Sequence, residues 1–247
     1  MTQSESRKFL IDYLLDERGE NIKTPADEYS QRRLLRSLMN VRPPVKADER
    51  FLAVQDDYLR EEIRLKGITD GEALEQIAPD ICLWQGDITA LKCDGIVNAA
   101  NSQMLGCFCP CHGCIDNAIH TYAGVRLRLE CAEIMQKQGI AEPVGKAKIT
   151  KAYNLPCKYV LHTVGPVVYG RLTDKNIKDL ESCYRSCLAL ADENHLKSLA
   201  FCCISTGEFH FPNDIAAKTA VEAVKSYKAE TGSKIRVIFN VFNDCDY

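Results

Sequence analysis

The sequence lacks a long hydrophobic run, a basic tract and the apolar core of a signal peptide. No apolar segment approaches the ~18 residues of a membrane span, and the formal net charge of the 247-residue chain is -3. The amino-terminal stretch MTQSESRKFLIDYLLDERGE carries charges throughout. These absences give no reason to propose nucleic-acid or membrane binding, and we expect a cytoplasmic protein.

Cysteine, in contrast, is abundant, with thirteen in the chain. A disulfide framework is typical of small secreted proteins, whereas this chain is long, shows no apolar signal-peptide core in its first residues and has an odd cysteine number. Most of the cysteines lie in apolar runs such as YRSCLALA and LAFCCIS, where a free thiol behaves as a small hydrophobic side chain. We therefore predict core thiols at Cys82, Cys93, Cys131, Cys183, Cys187, Cys202 and Cys203.

The hydropathy pattern changes near residue 78. Residues 1–78 predict a helical amino-terminal extension, interrupted where the prolines of RPPVK cannot continue a helix. Residues 79–247 alternate short apolar runs with amphipathic stretches, which predicts an α/β domain, a three-layer α/β/α sandwich with a mixed central sheet. One helix is predicted from DNAIHTYAG through AEIMQKQG, and the predicted strands are ICLWQG, GIVNAA, AKITKAYN, YVLHTVGP, LAFCCIS and IRVIFNVF.

Polar motifs follow three of these strands, where open α/β sheets bind their ligands. Asp87 in GDIT is placed either to bind a nucleobase amino group or to cap a helix. In NAAN, Asn98 and Asn101 either contact a ribose or stabilise a turn. The small-residue loop STGEFHFP can hold phosphates with its backbone N–H groups. Each motif alone is weak evidence for a nucleotide site.

The order of the motifs is more informative. GDIT is followed by NAAN, IDNAIHTYAG, HTVGP, ISTGEFHFP and a final apolar strand. This order resembles that of macrodomains, the ADP-ribose-binding fold, over residues 80–247. The contacts that the resemblance implies for ADP-ribose fall on Asp87, Ile88, Asn98, Asn101, Ser205, Thr206, Gly207, Glu208, Phe209, Phe242 and Asn243. The resemblance places Phe242 near the adenine; an inward position in the core is the alternative for this residue.

The chain departs from the usual macrodomain pattern just before IDNAIH. Most members carry a run of glycines there, whereas this chain has GCFCPCHGC. Zinc prefers Cys and His ligands, and together with the helical extension this loop resembles the zinc-dependent macrodomains of microbes. The resemblance assigns one Zn²⁺ ion to Cys107, His112 and Cys114. A ligand set that includes Cys109 or Cys111, or a disulfide in the loop, is the alternative.

Three protein ligands leave a zinc ion one position for water or a substrate oxygen, beside the distal ribose of the ligand. In metal-free hydrolytic macrodomains an aspartate at the position of Asp116 orients or activates water, and a helix N-cap is its alternative role. Glu208 is a second carboxylate near the ligand. His120 and His162 are expected in the core. His210 stands where the family usually has glycine, and a histidine there could change how the phosphate loop closes over the ligand.

The resemblance implies an enzyme, a zinc-dependent hydrolase that removes mono-ADP-ribose from acidic (Asp/Glu) side chains of a target protein. Its catalytic residues would be Asp116 and the metal ligands Cys107, His112 and Cys114. The alternatives are a non-catalytic ADP-ribose-binding module with a structural zinc loop, and a zinc-stabilised interaction domain without a nucleotide. Some similar proteins are encoded beside a sirtuin-type ADP-ribosyltransferase and a lipoyl-carrier protein, so the implied target is a lipoyl-carrier (glycine cleavage H-like) protein. The extension is expected to dock on the sheet domain or to recognise that target, and we expect a monomer.

Overall fold

Three helices form the amino-terminal extension. The computed structural model describes residues 1–247, apart from the side chain of Cys245. Each helix begins at a side-chain cap, Thr2, Asp27 or Asp48, that accepts a hydrogen bond from the first turn. Their apolar faces enclose a small core of their own around Leu10, Leu35 and Phe51, as the periodicity predicts. The helices are α1 (Gln3–Arg18), α2 (Glu28–Val41) and α3 (Glu49–Lys66).

Apart from a 3₁₀ turn at Gly71–Ala73, residues 69–78 are not helical, so the prediction of a helical segment through residue 78 is wrong at its end. Two short strands occupy this stretch, β1 (Thr69–Asp70) and β2 (Gln76–Ala78). β1 pairs in parallel with β4 (Leu91–Lys92), and β2 forms the antiparallel edge of the main sheet. These strands are only two and three residues long, too short to show a recognisable hydrophobic period in the sequence. By strand pairing, residues 69–78 belong with the sheet domain.

The main sheet has seven strands in the order β2-β3-β9-β8-β5-β7-β6. Pairing is parallel from β3 through β7 and antiparallel at both edges, which confirms the predicted mixed sheet. All six predicted strands are present. They are β3 (Ile81–Gln85), β5 (Gly95–Ala100), β6 (Ala147–Lys151), β7 (Tyr159–Val164), β8 (Ser198–Phe201) and β9 (Arg236–Val241).

Helices form the outer layers. The single helix predicted over DNAIHTYAG and its continuation is two helices, because the backbone at Gly124 leaves the helical region with φ +91°. The side chain of Gln55 in α3 lies against this break and accepts a hydrogen bond from the Val125 N–H at 3.0 Å. A Cβ at Gly124 would lie 2.6 Å from Gln55 Nε2, so glycine is required there. The helices are α4 (Ile115–Ala123), α5 (Val125–Gln138), α6 (Asp174–Glu193) and α7 (Asn213–Thr231).

The cysteines of the apolar runs lie in or beside the main core, largely as predicted. Cys93 and Cys203 are only half-buried, and none of the twelve described cysteines forms a disulfide. Among the described residues, no helix has the length and apolar character needed to cross a membrane. The buried members of the predicted set are Cys82, Cys131, Cys183, Cys187 and Cys202.

The parallel strands place the candidate functional loops at one edge of the sheet. β3, β5, β7, β8 and β9 all run in the same direction, so their carboxyl ends lie side by side. GDIT, the cysteine loop, HTVGP and STGEFHFP follow four of these ends in the sequence. The fold therefore gathers motifs that are more than 100 residues apart in the chain.

Candidate active site

The cysteine-rich loop brings three of its five candidate metal ligands together. The ligand atoms of Cys107, His112 and Cys114 lie within 4.8 Å of one another, and all three side chains are half-buried. Cys109 is exposed. The Cys111 thiol donates instead to the backbone carbonyl of Arg33 in α2, at 3.3 Å. The geometry thus favours the set that the resemblance implies over sets with Cys109 or Cys111.

The chemistry of this trio fits a zinc ion. The Nδ1 atom of His112 is buried and has no hydrogen-bond partner, while its Nε2 lies 3.4 Å from a carboxylate oxygen of Glu208. Metal-binding histidines commonly show this division, with one nitrogen toward the ion and the other toward a carboxylate. Burial raises the pKa of the Cys114 thiol to about 12, with Cys107 acting in the same direction, so a thiolate there calls for a compensating cation.

Asp116 lies beside the trio in the first turn of α4, with only 4% of its surface exposed. Its Oδ1 accepts a hydrogen bond from Asn98 at 2.8 Å, and its Oδ2 accepts one from Asn101 at 3.4 Å. The N-cap of α4 is Cys114, whose sulfur accepts from the Asn117 N–H, so the N-cap interpretation of Asp116 is wrong. Burial raises the pKa of the Asp116 carboxyl to about 6, against the opposing hydrogen bond from Asn98.

A chain of buried hydrogen bonds fixes Asn98 beneath this carboxylate. Asn98 and His162 are register partners on β5 and β7, and the Asn98 amide also donates to His162 Nδ1 at 3.1 Å. His162 Nε2 in turn lies 2.9 Å from the Thr150 hydroxyl. Burial lowers the pKa of His162 to about 3, so its ring is neutral. His162 is therefore a core residue, as predicted; direct contact of Asn98 with ADP-ribose stays a prediction.

His120 is also buried, and it belongs to a second group of potential ligand atoms. His120, Cys131 and His162 lie within 4.8 Å of one another and all are buried. His162 uses both ring nitrogens for Asn98 and Thr150, and His120 Nε2 lies 3.5 Å from Asp116. Burial lowers the pKa of His120 well below its usual value. Both histidines are thus buried next to the Asp116–Asn98 hydrogen bond, as the core interpretation of both expects.

At the opposite end of the site, Asp87 is held from two sides. Its Oδ1 caps the short 3₁₀ turn of residues 88–90 through the backbone and hydroxyl of Thr89, and its Oδ2 accepts a hydrogen bond from Lys66 at 2.7 Å. Burial opposes ionisation, but the bonds from Lys66 and Thr89 outweigh it and lower the pKa of Asp87. Asp87 therefore caps the turn and still presents a charged carboxylate; Ile88 beside it is buried.

The loop of residues 205–211 is closed by its own backbone hydrogen bonds. The His210 N–H donates to the Gly207 carbonyl at 3.0 Å, and the Phe211 N–H donates to Ser205 at 2.9 Å. His210 has φ +55°, a left-handed conformation that glycine adopts most readily. This explains why glycine suits the position, and the histidine does not open the loop. Val168 of the HTVGP loop also donates to the Phe209 carbonyl, at 2.9 Å.

The segment after β9 lies at the surface. Phe242 is 69% exposed, so the alternative that placed it in the core is wrong. Asn243 is exposed, and its amide donates to Asp246 at 3.3 Å. An exposed aromatic ring directly after β9, the strand that pairs with β3, is available for stacking on a base.

Comparison with known proteins settles the family. A family model described as Macro domain matches residues 97–220, and these residues include the loop, Asp116 and most of the sheet. The chain belongs to the macrodomain family.

Relatives of this macrodomain match it along its whole length. A curated protein of Treponema medium named Protein-ADP-ribose hydrolase is 56% identical over 252 residues, covering 100% of this chain and 97% of its own. A protein of the same name from Staphylococcus aureus is 50% identical over 254 residues, covering 100% and 95%. The solved Trypanosoma brucei macrodomain in complex with ADP-ribose is similar with a TM-score of 0.64 and 32% identity, covering 82% of this chain and 89% of that one.

Several residues that shape this macrodomain site were missed by the sequence analysis. Lys66 of the extension holds Asp87, and Arg36 and Asn40 of α2 contact the cysteine loop. Asn117 in α4 contacts the same loop from the other side. On the amphipathic helices α2 and α3 the three extension residues occupy polar positions that are indistinguishable from solvent-facing ones. Only the packing of the extension on the sheet domain reveals them.

Proposed function

We propose that this macrodomain is a zinc-dependent hydrolase that removes mono-ADP-ribose from aspartate or glutamate side chains of a target protein. The proposal depends on one observation: a group of three potential metal ligands lies next to the buried Asp116 at the carboxyl end of β5. Both carboxylate oxygens of Asp116 accept hydrogen bonds. The full-length relatives named Protein-ADP-ribose hydrolase support the same activity.

The nucleotide would be held by the loops that follow β3, β8 and β9. The charged carboxylate of Asp87 suits the adenine amino group, and the exposed ring of Phe242 suits the adenine face. Backbone N–H groups of the closed 205–211 loop suit the diphosphate. This arrangement would direct the distal ribose toward Asn101 and the metal loop.

At the distal ribose, hydrolysis joins water to the ester that links the sugar to the protein carboxylate, releasing ADP-ribose and the free acidic side chain. Cys107, His112 and Cys114 would hold the zinc ion, which supplies a Lewis acid for a substrate oxygen or for water. The carboxylate of Asp116, fixed by Asn98 and Asn101, would accept a hydrogen bond from the attacking water and orient it.

Three protein ligands, rather than four, favour an open metal site over a purely structural one. The binding-module alternative predicts ADP-ribose binding without release from protein. The target is proposed to be a protein that is ADP-ribosylated on acidic side chains, and a lipoyl-carrier protein of the glycine cleavage H type stays a prediction. The cytoplasmic location and the monomeric state also stay predictions.

The test compares three samples on a protein that carries mono-ADP-ribose on glutamate or aspartate. Zinc-loaded wild type should release free ADP-ribose, whereas chelator-treated protein and Cys107→Ala should not. Added zinc should restore release by the chelator-treated protein but not by Cys107→Ala. ADP-ribose binding is measured in parallel by calorimetry. Binding without release by the wild type would overturn the hydrolase, and equal release by all three samples would overturn the role of zinc.

A further inference from the structure

The metal-ligand loop has no regular secondary structure to fix it. Between the end of β5 and the start of α4, residues 101–114 form turns and bends, and one internal turn joins the His112 N–H to the Cys109 carbonyl at 3.2 Å. Cys111 sits in the left-handed region with φ +53°. A loop of this kind can hold three ligands on one ion only if other parts of the chain fix its backbone.

Asn117, which is fully buried, connects to two of the three ligand residues. Its amide Nδ2 donates to the Cys109 carbonyl at 3.0 Å and lies 3.5 Å from the Cys107 carbonyl. Its backbone N–H donates to the sulfur of Cys114 at 3.4 Å. Asn117 thus holds both ends of the loop, but on its own it leaves His112 without support.

Arg36, from α2 of the extension, supplies the missing connection. Its guanidinium donates to Asn117 Oδ1 twice, from Nε at 3.1 Å and from Nη2 at 2.7 Å. The same Nη2 donates to the His112 carbonyl at 2.9 Å. Arg36 therefore fixes which way the Asn117 amide faces, so that its NH₂ group must point toward the loop carbonyls. All three ligand residues are linked to the Arg36–Asn117 pair.

Asn40 stands one helical turn beyond Arg36 on the same face of α2. Its side-chain oxygen accepts a hydrogen bond from the Cys111 N–H at 2.9 Å, and its amide donates to the Thr121 hydroxyl at 2.9 Å. The Thr121 hydroxyl itself donates to the Asn117 carbonyl at 2.7 Å. Two polar residues of the extension thus reach the loop and the helix that follows it.

We propose that Arg36 is a positioning residue for the metal centre, acting through Asn117 on the backbones of the ligand residues, so that the extension is part of the metal site. This rests on the proposed zinc at Cys107, His112 and Cys114. Carbonyls that are fixed in place hold the ligand side chains ready before the ion arrives. Binding of the ion then requires less ordering of the loop, which raises affinity and slows release.

The test measures zinc binding itself, by competition with a chromophoric chelator, in full-length protein. Arg36→Ala should weaken zinc binding about 10- to 100-fold, the range typical when a residue behind a metal ligand is lost, and should release zinc faster. Arg36→Lys, which keeps the charge but loses the planar two-nitrogen contact, should fall between Ala and wild type. Arg33→Ala is the matched control, because the Arg33 side chain is exposed on the same helix and its contact with Cys111 is made through the backbone carbonyl, which the substitution keeps.

A second measurement separates positioning from general stabilisation. Thermal unfolding of each variant is followed with and without zinc, and Arg36→Ala should show a smaller zinc-induced gain in Tm than Arg33→Ala. An equal gain, or wild-type zinc affinity in Arg36→Ala, would overturn the positioning role. If Arg36→Ala does not fold, Arg36→Lys decides by the same two criteria. Absence of zinc binding by the wild type would overturn the proposed metal site itself, a different outcome from a failure confined to Arg36.

Discussion

The two ends of the proposed ADP-ribose cleft differ in what holds them. At the nucleotide end, the 3₁₀ turn of GDIT and the 205–211 loop follow strand ends directly and close on themselves through short-range hydrogen bonds. At the metal end, the loop of residues 101–114 depends on Arg36 and Asn40, which lie more than 70 residues away in the sequence from the loop residues that they contact. The nucleotide end is thus built mainly by the sheet domain, with Lys66 of the extension bound to Asp87, whereas at the metal end the backbone of the loop is itself held by the extension.

This difference indicates that the two ends can be disabled separately. Changes at the metal loop should remove zinc and hydrolysis while leaving ADP-ribose affinity nearly intact. Changes at the nucleotide end should weaken ADP-ribose binding and leave zinc content intact. A variant that impairs both ends together would show that the comparison is too simple.

The largest difference between the effect on zinc binding and the effect on ADP-ribose binding is expected for Cys114→Ser. Serine is a good helix N-cap and can accept the Asn117 N–H as the cysteine sulfur does, whereas its hydroxyl is a poor zinc ligand. If three ligands share roughly 10 kcal/mol of zinc binding, the loss of one costs about 3 kcal/mol, or about 10²-fold in affinity. Zinc competition and ADP-ribose release should both show this loss.

The control for Cys114→Ser is ADP-ribose calorimetry on the same sample. We expect the affinity of the variant to stay within about 3-fold of wild type, below roughly 0.7 kcal/mol. A parallel collapse of ADP-ribose binding would mean that the metal loop and the nucleotide end form one cooperative unit.

Asp116→Asn is expected to have the next largest effect, and only on turnover. The asparagine keeps the size of the side chain and an acceptor for the Asn98 amide, but it loses the charge that orients a water molecule. Loss of such a group typically lowers kcat by about 10²-fold or more. Zinc affinity and ADP-ribose affinity, measured separately, should change little; a variant that turns over at the wild-type rate would remove Asp116 from the chemistry.

The contrast also explains how far the sequence could predict this molecule. Six strands, the mixed sheet and the grouping of GDIT, NAAN and STGEFHFP follow from apolar runs of recognisable period and from the order of motifs. The grouping of Cys107, His112 and Cys114 follows from the macrodomain resemblance. The strands of residues 69–78 and the break at Gly124 do not, because β1 pairs with the distant Lys92, β2 is only three residues long, and the break lies against Gln55.

The roles of Arg36, Asn40 and Lys66 were equally invisible, for the same physical reason. A polar side chain on an amphipathic helix has the same period whether it faces water or a polar loop of another unit. Asn117 stands in the motif IDNAIH, but nothing local shows that its amide holds the loop before it. Long-range polar contacts of this kind require the packed structure.

A moderate effect confined to the nucleotide end is expected for Asp87→Asn. The amide keeps the shape of the side chain but replaces the charged acceptor held by Lys66 and Thr89. Hydrogen bonds to charged groups contribute about 1.5–3 kcal/mol, so the Kd for ADP-ribose should rise at least about 10-fold. Calorimetry gives the Kd and chelator competition gives the zinc affinity, which should match wild type. Zinc loss in this variant would contradict the separation of the two ends.

The smallest effect is expected for Cys109→Ser, which tests the assignment of ligands within the loop. Cys109 is exposed and lies outside the trio, and the loop contact that it makes to Asn117 is through its backbone carbonyl, which the substitution keeps. Zinc affinity and ADP-ribose release should therefore stay within about 2-fold of wild type, less than roughly 0.5 kcal/mol. A loss comparable with that of Cys114→Ser would make Cys109 a ligand. The protein would then fill the fourth coordination position of the zinc ion, which would make the metal structural. The nucleotide end would remain as the ADP-ribose-binding part of the macrodomain.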